Sequence, residues 1–196
     1  MARHSLTLEG FVQRSDIAVP GDRAAFATLL SHIGLVGKLL ARDLRVAGLL
    51  NILGTTGETN VQGEVVKKLD QIANETCVEI LEQSGMVAAL ASEEMEKPLI
   101  VSQPCTRAPF LVLFDPLDGS SNTDVNMPLG SIFSILTFTG SQPSEQDLIR
   151  KGTDQSAAAY LLFGPSTMFV FSTGSRVHGF TLDPGVGEYV LSHPDI

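Results

Sequence analysis

In LVLFDPLDGSSNTDV, residues 111–125, an apolar run stops against Asp115, Pro116, Asp118 and Gly119. The two carboxylates, with the Leu117 carbonyl between them, offer three hard oxygen donors of the kind Mg²⁺ or Mn²⁺ takes at roughly 2.0–2.2 Å. Pro116 has no N–H to give a sheet ladder, so the strand is expected to end there and the backbone to turn, leaving Asp115 and Asp118 facing one point. Gly119 removes side-chain bulk where the main chain must approach a ligand, and Ser120 and Ser121 add hydroxyl and amide donors suited to phosphate oxygens. The same residues also suit an Asx turn satisfied by local hydrogen bonds, and the stretch by itself leaves both readings open.

Two further acidic clusters bear on the choice. SEEMEK, residues 92–97, puts Glu93 and Glu94 at the end of another apolar run, where the plain alternative is a solvated edge. GEVVKKLD, residues 63–70, carries Glu64 and Asp70, and here Lys68 follows Glu64 by four, the spacing of a helix-surface ion pair. Six carboxylates gathered without cations would repel strongly, so convergence of the three clusters would require bound metal, two or three Mg²⁺ ions.

The elements that must position these groups follow from periodicity. Pro20, Gly21 and Asp22 precede apolar residues at 26, 29, 30, 33, 36, 40 and 44, a long amphipathic helix capped by Asp22. NILGTTGETNVQG, residues 51–63, holds three glycines among Thr and Asn and reads as a flexible loop resistant to regular structure, a candidate lid. Helical spacing resumes from Val65 to Gly85. Short apolar runs then read as buried strands: MVAALAS, PFLVLF and SIFSILTF, followed by AAAYLLF, TMFVF, VHGFTL and EYVLS between Gly-Pro, Thr-Gly-Ser and Asp-Pro-Gly turns. The latter group implies an antiparallel meander. Helices first and strands afterwards predict an α+β fold, N-terminal helices packed on a large, mostly antiparallel sheet, with residues 1–196 forming a single domain.

Composition narrows the partners. With 196 residues, 43% hydrophobic and 18% charged, the chain can bury a sizeable core. A formal net charge of -9 opposes binding to nucleic acid or to an anionic membrane, whereas carboxylate-held cations would let an acidic protein accept a phosphate ester. The N-terminal segment lacks the apolar core of a signal peptide, and residues 24–37 fall short of a membrane span, so a cytoplasmic location is expected. Cys77 and Cys105 are expected to be reduced thiols, and His4, His32, His178 and His193 to be structural or surface groups.

FDPLDGSSNTDV together with GSIFSI, ASEE and TNVQGEVVKKLD resembles class I fructose-1,6-bisphosphatase, within the wider sugar-phosphatase superfamily that shares D-P-L-D-G-S. The resemblance runs from about residue 10 to the last residue. It implies Mg²⁺-dependent (or Mn²⁺-dependent) hydrolysis of the 1-phosphate of fructose 1,6-bisphosphate. The metal would be held by Glu64, Glu93, Asp115, Asp118 and the Leu117 carbonyl, and the phosphate by Asp118, Gly119, Ser120 and Ser121. Asp70 and Glu94 would handle protons from the attacking water. Glu64 stands where mammalian relatives carry an aspartate. The resemblance further implies a homotetramer, and a second, sugar-binding domain that this chain lacks, so that the isolated chain is expected to be weakly active or inactive. Pro109 and Phe110 replace a Lys-Tyr pair used for AMP inhibition in animal members, and Thr137 replaces an arginine, so AMP regulation is expected to be weak or differently built. Sedoheptulose-1,7-bisphosphate hydrolysis, inositol-phosphate hydrolysis and a non-catalytic role in assembly are the competing readings.

Overall fold

The computed structural model describes residues 6–50, 52–59, 65–101, 108–125 and 127–196. Three short or long helices come first: α1 (Leu8–Arg14), α2 (Arg23–Arg45) and α3 (Ala47–Leu50). A hairpin of β1 (Thr55–Thr59) and β2 (Val65–Lys67) follows, and then α4 (Lys68–Gln83). The remainder is β3 (Val87–Ser92), β4 (Leu99–Ile100), β5 (Phe110–Asp118), β6 (Leu129–Thr137), α5 (Glu145–Leu148), β7 (Ala157–Phe163), β8 (Thr167–Ser172), β9 (Val177–Asp183) and β10 (Glu188–His193).

β3 to β10 form one eight-stranded sheet in the order β10-β9-β8-β7-β6-β5-β3-β4. From β6 to β10 each strand pairs antiparallel with its predecessor, and for β7 to β10 this is the meander that the turn chemistry predicts. The exception is β3, which runs parallel to β5, with Ala91 opposite Leu113 and Ser92 opposite Phe114. The α+β expectation therefore holds, with a mixed sheet.

α2 begins where Asp22 Oδ1 accepts the Ala25 N–H at 2.9 Å, a cap that satisfies an otherwise orphaned donor. Its Phe26, Leu29, Leu30, Ile33 and Val36 are fully buried. By length and composition α2 could cross a membrane, but this apolar stripe is consumed by the sheet: Phe26 meets Phe110 at 6.1 Å and Phe171 at 6.2 Å between ring centroids. Burying each such side chain stabilises by about 1.5–3 kcal/mol. The connection from α1 to α2 is clamped by Arg23, whose guanidinium donates to the carbonyls of Val12 (2.6 Å), Ser15 (3.0 Å) and Ile17 (2.8 Å).

Three expectations need correction. The predicted flexible loop at 51–63 contains β1, because Gly54 and Gly57 take positive φ (91° and 87°) in open space and let the chain reach a hairpin that β2 completes. The second helix starts at Lys68 rather than Val65, since residues 65–67 belong to β2. Finally, Pro116 does not end its strand. β5 continues to Asp118, which pairs with Gly130, and a register shift between Asp115 and Asp118 absorbs the missing donor as a bulge.

Candidate active site

The site grows from the parallel pairing of β3 with β5. Just past the end of β3, the Glu93 N–H donates to the Phe114 carbonyl at 3.1 Å, so Glu93 lies beside Asp115. Glu93 and Asp115 line one depression of the surface. Burial, then the neighbouring Glu93, then the Asp118 charge push Asp115 up to about 7, against an opposing pull from the Leu117 N–H. The Leu117 N–H donates to Asp115 Oδ1 at 3.0 Å, which fixes the acid over the bulge. Beneath it, Ser131 Oγ, fully buried on β6, donates to the Pro116 carbonyl at 2.7 Å and holds the bulge from the neighbouring strand. Cys77 of α4 lies close enough for Asp115 to reinforce burial in pushing its thiol up, so this cysteine is an inert wall rather than a nucleophile.

Gly119 follows at φ 78°, a left-handed backbone only glycine takes without strain, and redirects the chain into a 3₁₀ turn over Ser120–Val125. That turn is closed by Asn122 N–H to the Gly119 carbonyl (2.7 Å) and Thr123 Oγ1 to the Ser120 carbonyl (2.7 Å). Lys67, at the end of β2, reaches it from the other side: its ammonium donates to the Ser120 carbonyl at 2.9 Å and to Thr123 Oγ1 at 3.3 Å. The Lys67 N–H in turn donates to Asp70 Oδ2 at 3.0 Å in the first turn of α4.

Two depressions open on this region and share Ile132. One, of about 530 Å³, is lined by Glu93, Asp115, Ser92 and Ser134. The other, of about 550 Å³, is lined by Asp118, Gly119 and Asn122 at one end and by Tyr160 and Leu162 at the other.

Of the residues the sequence singles out, Glu93 and Asp115 are brought together, with Asp118 within electrostatic reach. Glu94 sits in the turn after β3, its N–H donated to Ser92 Oγ at 3.2 Å. Asp70 is buried rather than a surface group, and is tied to the Ser120 turn through Lys67. Glu64 and Cys105 lie outside the described residues, as does His4. Among the described residues, no three His, Cys, Asp or Glu side chains close into a cage for a metal ion. The donor chemistry nevertheless fits a hard cation: two carboxyl groups line one depression and Asp115 is raised by burial and by Glu93, a cost that a bound divalent ion would relieve. His178, by contrast, is buried among Phe11 and Phe171 and lines neither depression. Lys67 and Ser131 went unnoticed in the sequence. The inward position of Ser131 in the alternating run GSIFSI was the available signal for the second, and Lys67 gave none.

The family pattern described as fructose-1-6-bisphosphatase, N-terminal domain, matches residues 6–194. The class 1 fructose-1,6-bisphosphatase of Nitratidesulfovibrio vulgaris (strain DP4) is 50% identical over 180 residues, covering 90% of this chain and 53% of the relative. That of Sorangium cellulosum (strain So ce56) is 48% identical over 201 residues, covering 100% of this chain and 57% of the relative. The crystal structure of Leishmania major fructose-1,6-bisphosphatase in holo form superposes with a TM-score of 0.89 at 35% identity, over 98% of this chain and 59% of that one. The chain thus spans about half the length of the relatives it matches. Sequence pattern, sheet order and relatives agree that the chain belongs to the fructose-1,6-bisphosphatase family, of which it carries the N-terminal domain.

Proposed function

We propose that residues 1–196 form the cation-binding catalytic domain of a sugar-bisphosphate phosphatase that converts fructose 1,6-bisphosphate and water into fructose 6-phosphate and inorganic phosphate. The observation that carries the reading is the placement of Glu93 beside Asp115, set by the bond from Glu93 N–H to the Phe114 carbonyl and facing one depression, next to the Asp118–Ser121 segment. Glu93, Asp115, Asp118 and the Leu117 carbonyl would hold Mg²⁺ or Mn²⁺, with Glu64 as a further ligand. The cation supplies charge neutralisation at the ester and makes water more acidic. The remaining work belongs to the chain. Asp118, Gly119, Ser120 and Ser121 position the 1-phosphate, and Asp70 and Glu94 accept the proton of the attacking water. Phosphoryl transfer depends on such positioning more than on a covalent nucleophile.

The rest of the reading follows the sequence resemblance and composition. The complete enzyme is a cytoplasmic homotetramer of carbohydrate metabolism, and these 196 residues by themselves, which span about half the length of the relatives, are a weak catalyst. The test is isothermal titration of the 196-residue chain with MgCl₂ or MnCl₂, followed by phosphate release from fructose 1,6-bisphosphate and, as the rival substrate, sedoheptulose 1,7-bisphosphate. Saturable cation binding that Asp118→Asn and Glu93→Gln abolish supports the proposal. Binding indifferent to both substitutions overturns it in favour of an assembly role.

A further inference from the structure

Lys67 joins elements that are distant in sequence. Its ammonium reaches Ser120 and Thr123, 53 and 56 positions away, while its backbone N–H holds Asp70 and the next N–H, of Lys68, donates to the Gly54 carbonyl at 3.1 Å. The β1–β2 hairpin, the start of α4 and the turn after Asp118 therefore meet at one dipeptide.

What the ammonium holds is also specific. The Ser120 carbonyl belongs to the Ser120–Ser121 peptide, whose plane is rigid and, with no cis bond present, trans. In a trans peptide the C=O and N–H point to opposite sides. A carbonyl drawn toward Lys67 and Thr123 thus aims the Ser121 N–H away from them. The Thr123 hydroxyl already holds this carbonyl at 2.7 Å within the 3₁₀ turn. The charge-assisted bond from Lys67 is the stronger of the two and adds to the hold on the plane. It also places a cation in an otherwise acidic neighbourhood of a chain with net charge -9.

We propose that Lys67 is a positioning residue for phosphate: by holding the Ser120 carbonyl it orients the Ser120–Ser121 peptide to receive a phosphate oxyanion, and it couples that turn to the β1–β2 hairpin. This rests on the reading of Asp118–Ser121 as the phosphate-binding segment. The coupling is reciprocal, so phosphate that steadies the turn also steadies the hairpin.

The test uses the whole chain as parent, Lys67→Met, Lys67→Arg and Asp118→Asn. Amide hydrogen exchange is measured first without metal or phosphate, then with MgCl₂ and inorganic phosphate, alongside calorimetric titration of each. In Lys67→Met, exchange over residues 119–125 and 55–59 accelerates by about fivefold or more, inorganic phosphate binds about tenfold more weakly, and Mg²⁺ binds within about twofold of parent. Lys67→Arg, which keeps a cationic donor, restores protection and phosphate affinity. A purely structural lysine would change exchange without separating phosphate from Mg²⁺. Exchange in Lys67→Met equal to parent, or equal loss of Mg²⁺ and phosphate affinity, overturns the proposal. Mg²⁺ binding unaffected by Asp118→Asn overturns the underlying functional reading instead. The exchange arm is independent of that outcome, so Lys67 is tested either way.

Discussion

Glu93 and Asp115 are neighbours because β3 and β5 run in the same direction: the bond from Glu93 N–H to the Phe114 carbonyl sets the two acids side by side at the same end of the sheet. Like charges this close are unfavourable, and Asp115 rises from 3.8 to about 7 as a result of burial and of Glu93. The strain is local and can be read out.

Its first consequence is a pH dependence of the metal-free protein. A carboxyl group whose native value lies above its unfolded one binds more protons in the native state, so stability falls as pH rises. The effect of Asp115 is fully present below about 4 and lost by about 7. Thermal unfolding in EDTA should show Tm falling across that window. Asp115→Asn should remove most of the slope, and saturating Mn²⁺ should flatten it.

Glu93→Gln separates stability from binding. Removing one charge of the pair should raise the Tm of the metal-free protein at pH 8, while weakening Mg²⁺ by at least about tenfold in titration calorimetry. A substitution that lowered both would mean that Glu93 is a packing residue.

Gly119 is needed for its backbone. A Cβ there would stand 3.3 Å from Asn122 Nδ2 and would have to accept φ 78°. Gly119→Ala should cost about 1–2 kcal/mol and lower Tm by about 3–6 °C. Gly152→Ala, at a position with ordinary φ and open space, should leave it unchanged.

The docking of α2 on β10 gives a paired test. A Cβ at Gly37 would run into Tyr189 Oη and Leu161 Cδ2, so Gly37→Ala should overpack the interface and lower Tm by about 4–8 °C. Tyr189→Phe works in the opposite direction. The hydroxyl is buried with no hydrogen-bond partner among the described residues, and its removal should raise Tm by about 2–4 °C in the same scan.

The sequence was most informative where neighbours decide. Asp22 capping, the α2 stripe and the β7–β10 meander depend on contacts within a few residues, and each was legible from spacing and turn chemistry. The approach of Glu93 to Asp115 was legible only as two acids at two strand ends, since nothing local specifies that β3 and β5 pair in parallel. Pro116 misled for a physical reason: a bulge can omit one donor without ending a strand, and the Ser131 hydroxyl that braces the bulge lies on another strand. The burial of Asp70 and the reach of Lys67 to Ser120 come from tertiary packing, with no trace in local composition.

The order of the strands also has a kinetic side. β7 to β10 join by successive tight hairpins, contacts that close short loops and form early, whereas β3 reaches β5 only across residues 93–109, with an intervening edge strand, and in parallel. During refolding, the β7–β10 half of the sheet can therefore be in place before the two acids meet. A sample that has regained much of its far-ultraviolet circular dichroism would still lack the proposed cation site, and recovery of Mn²⁺ binding would lag behind it.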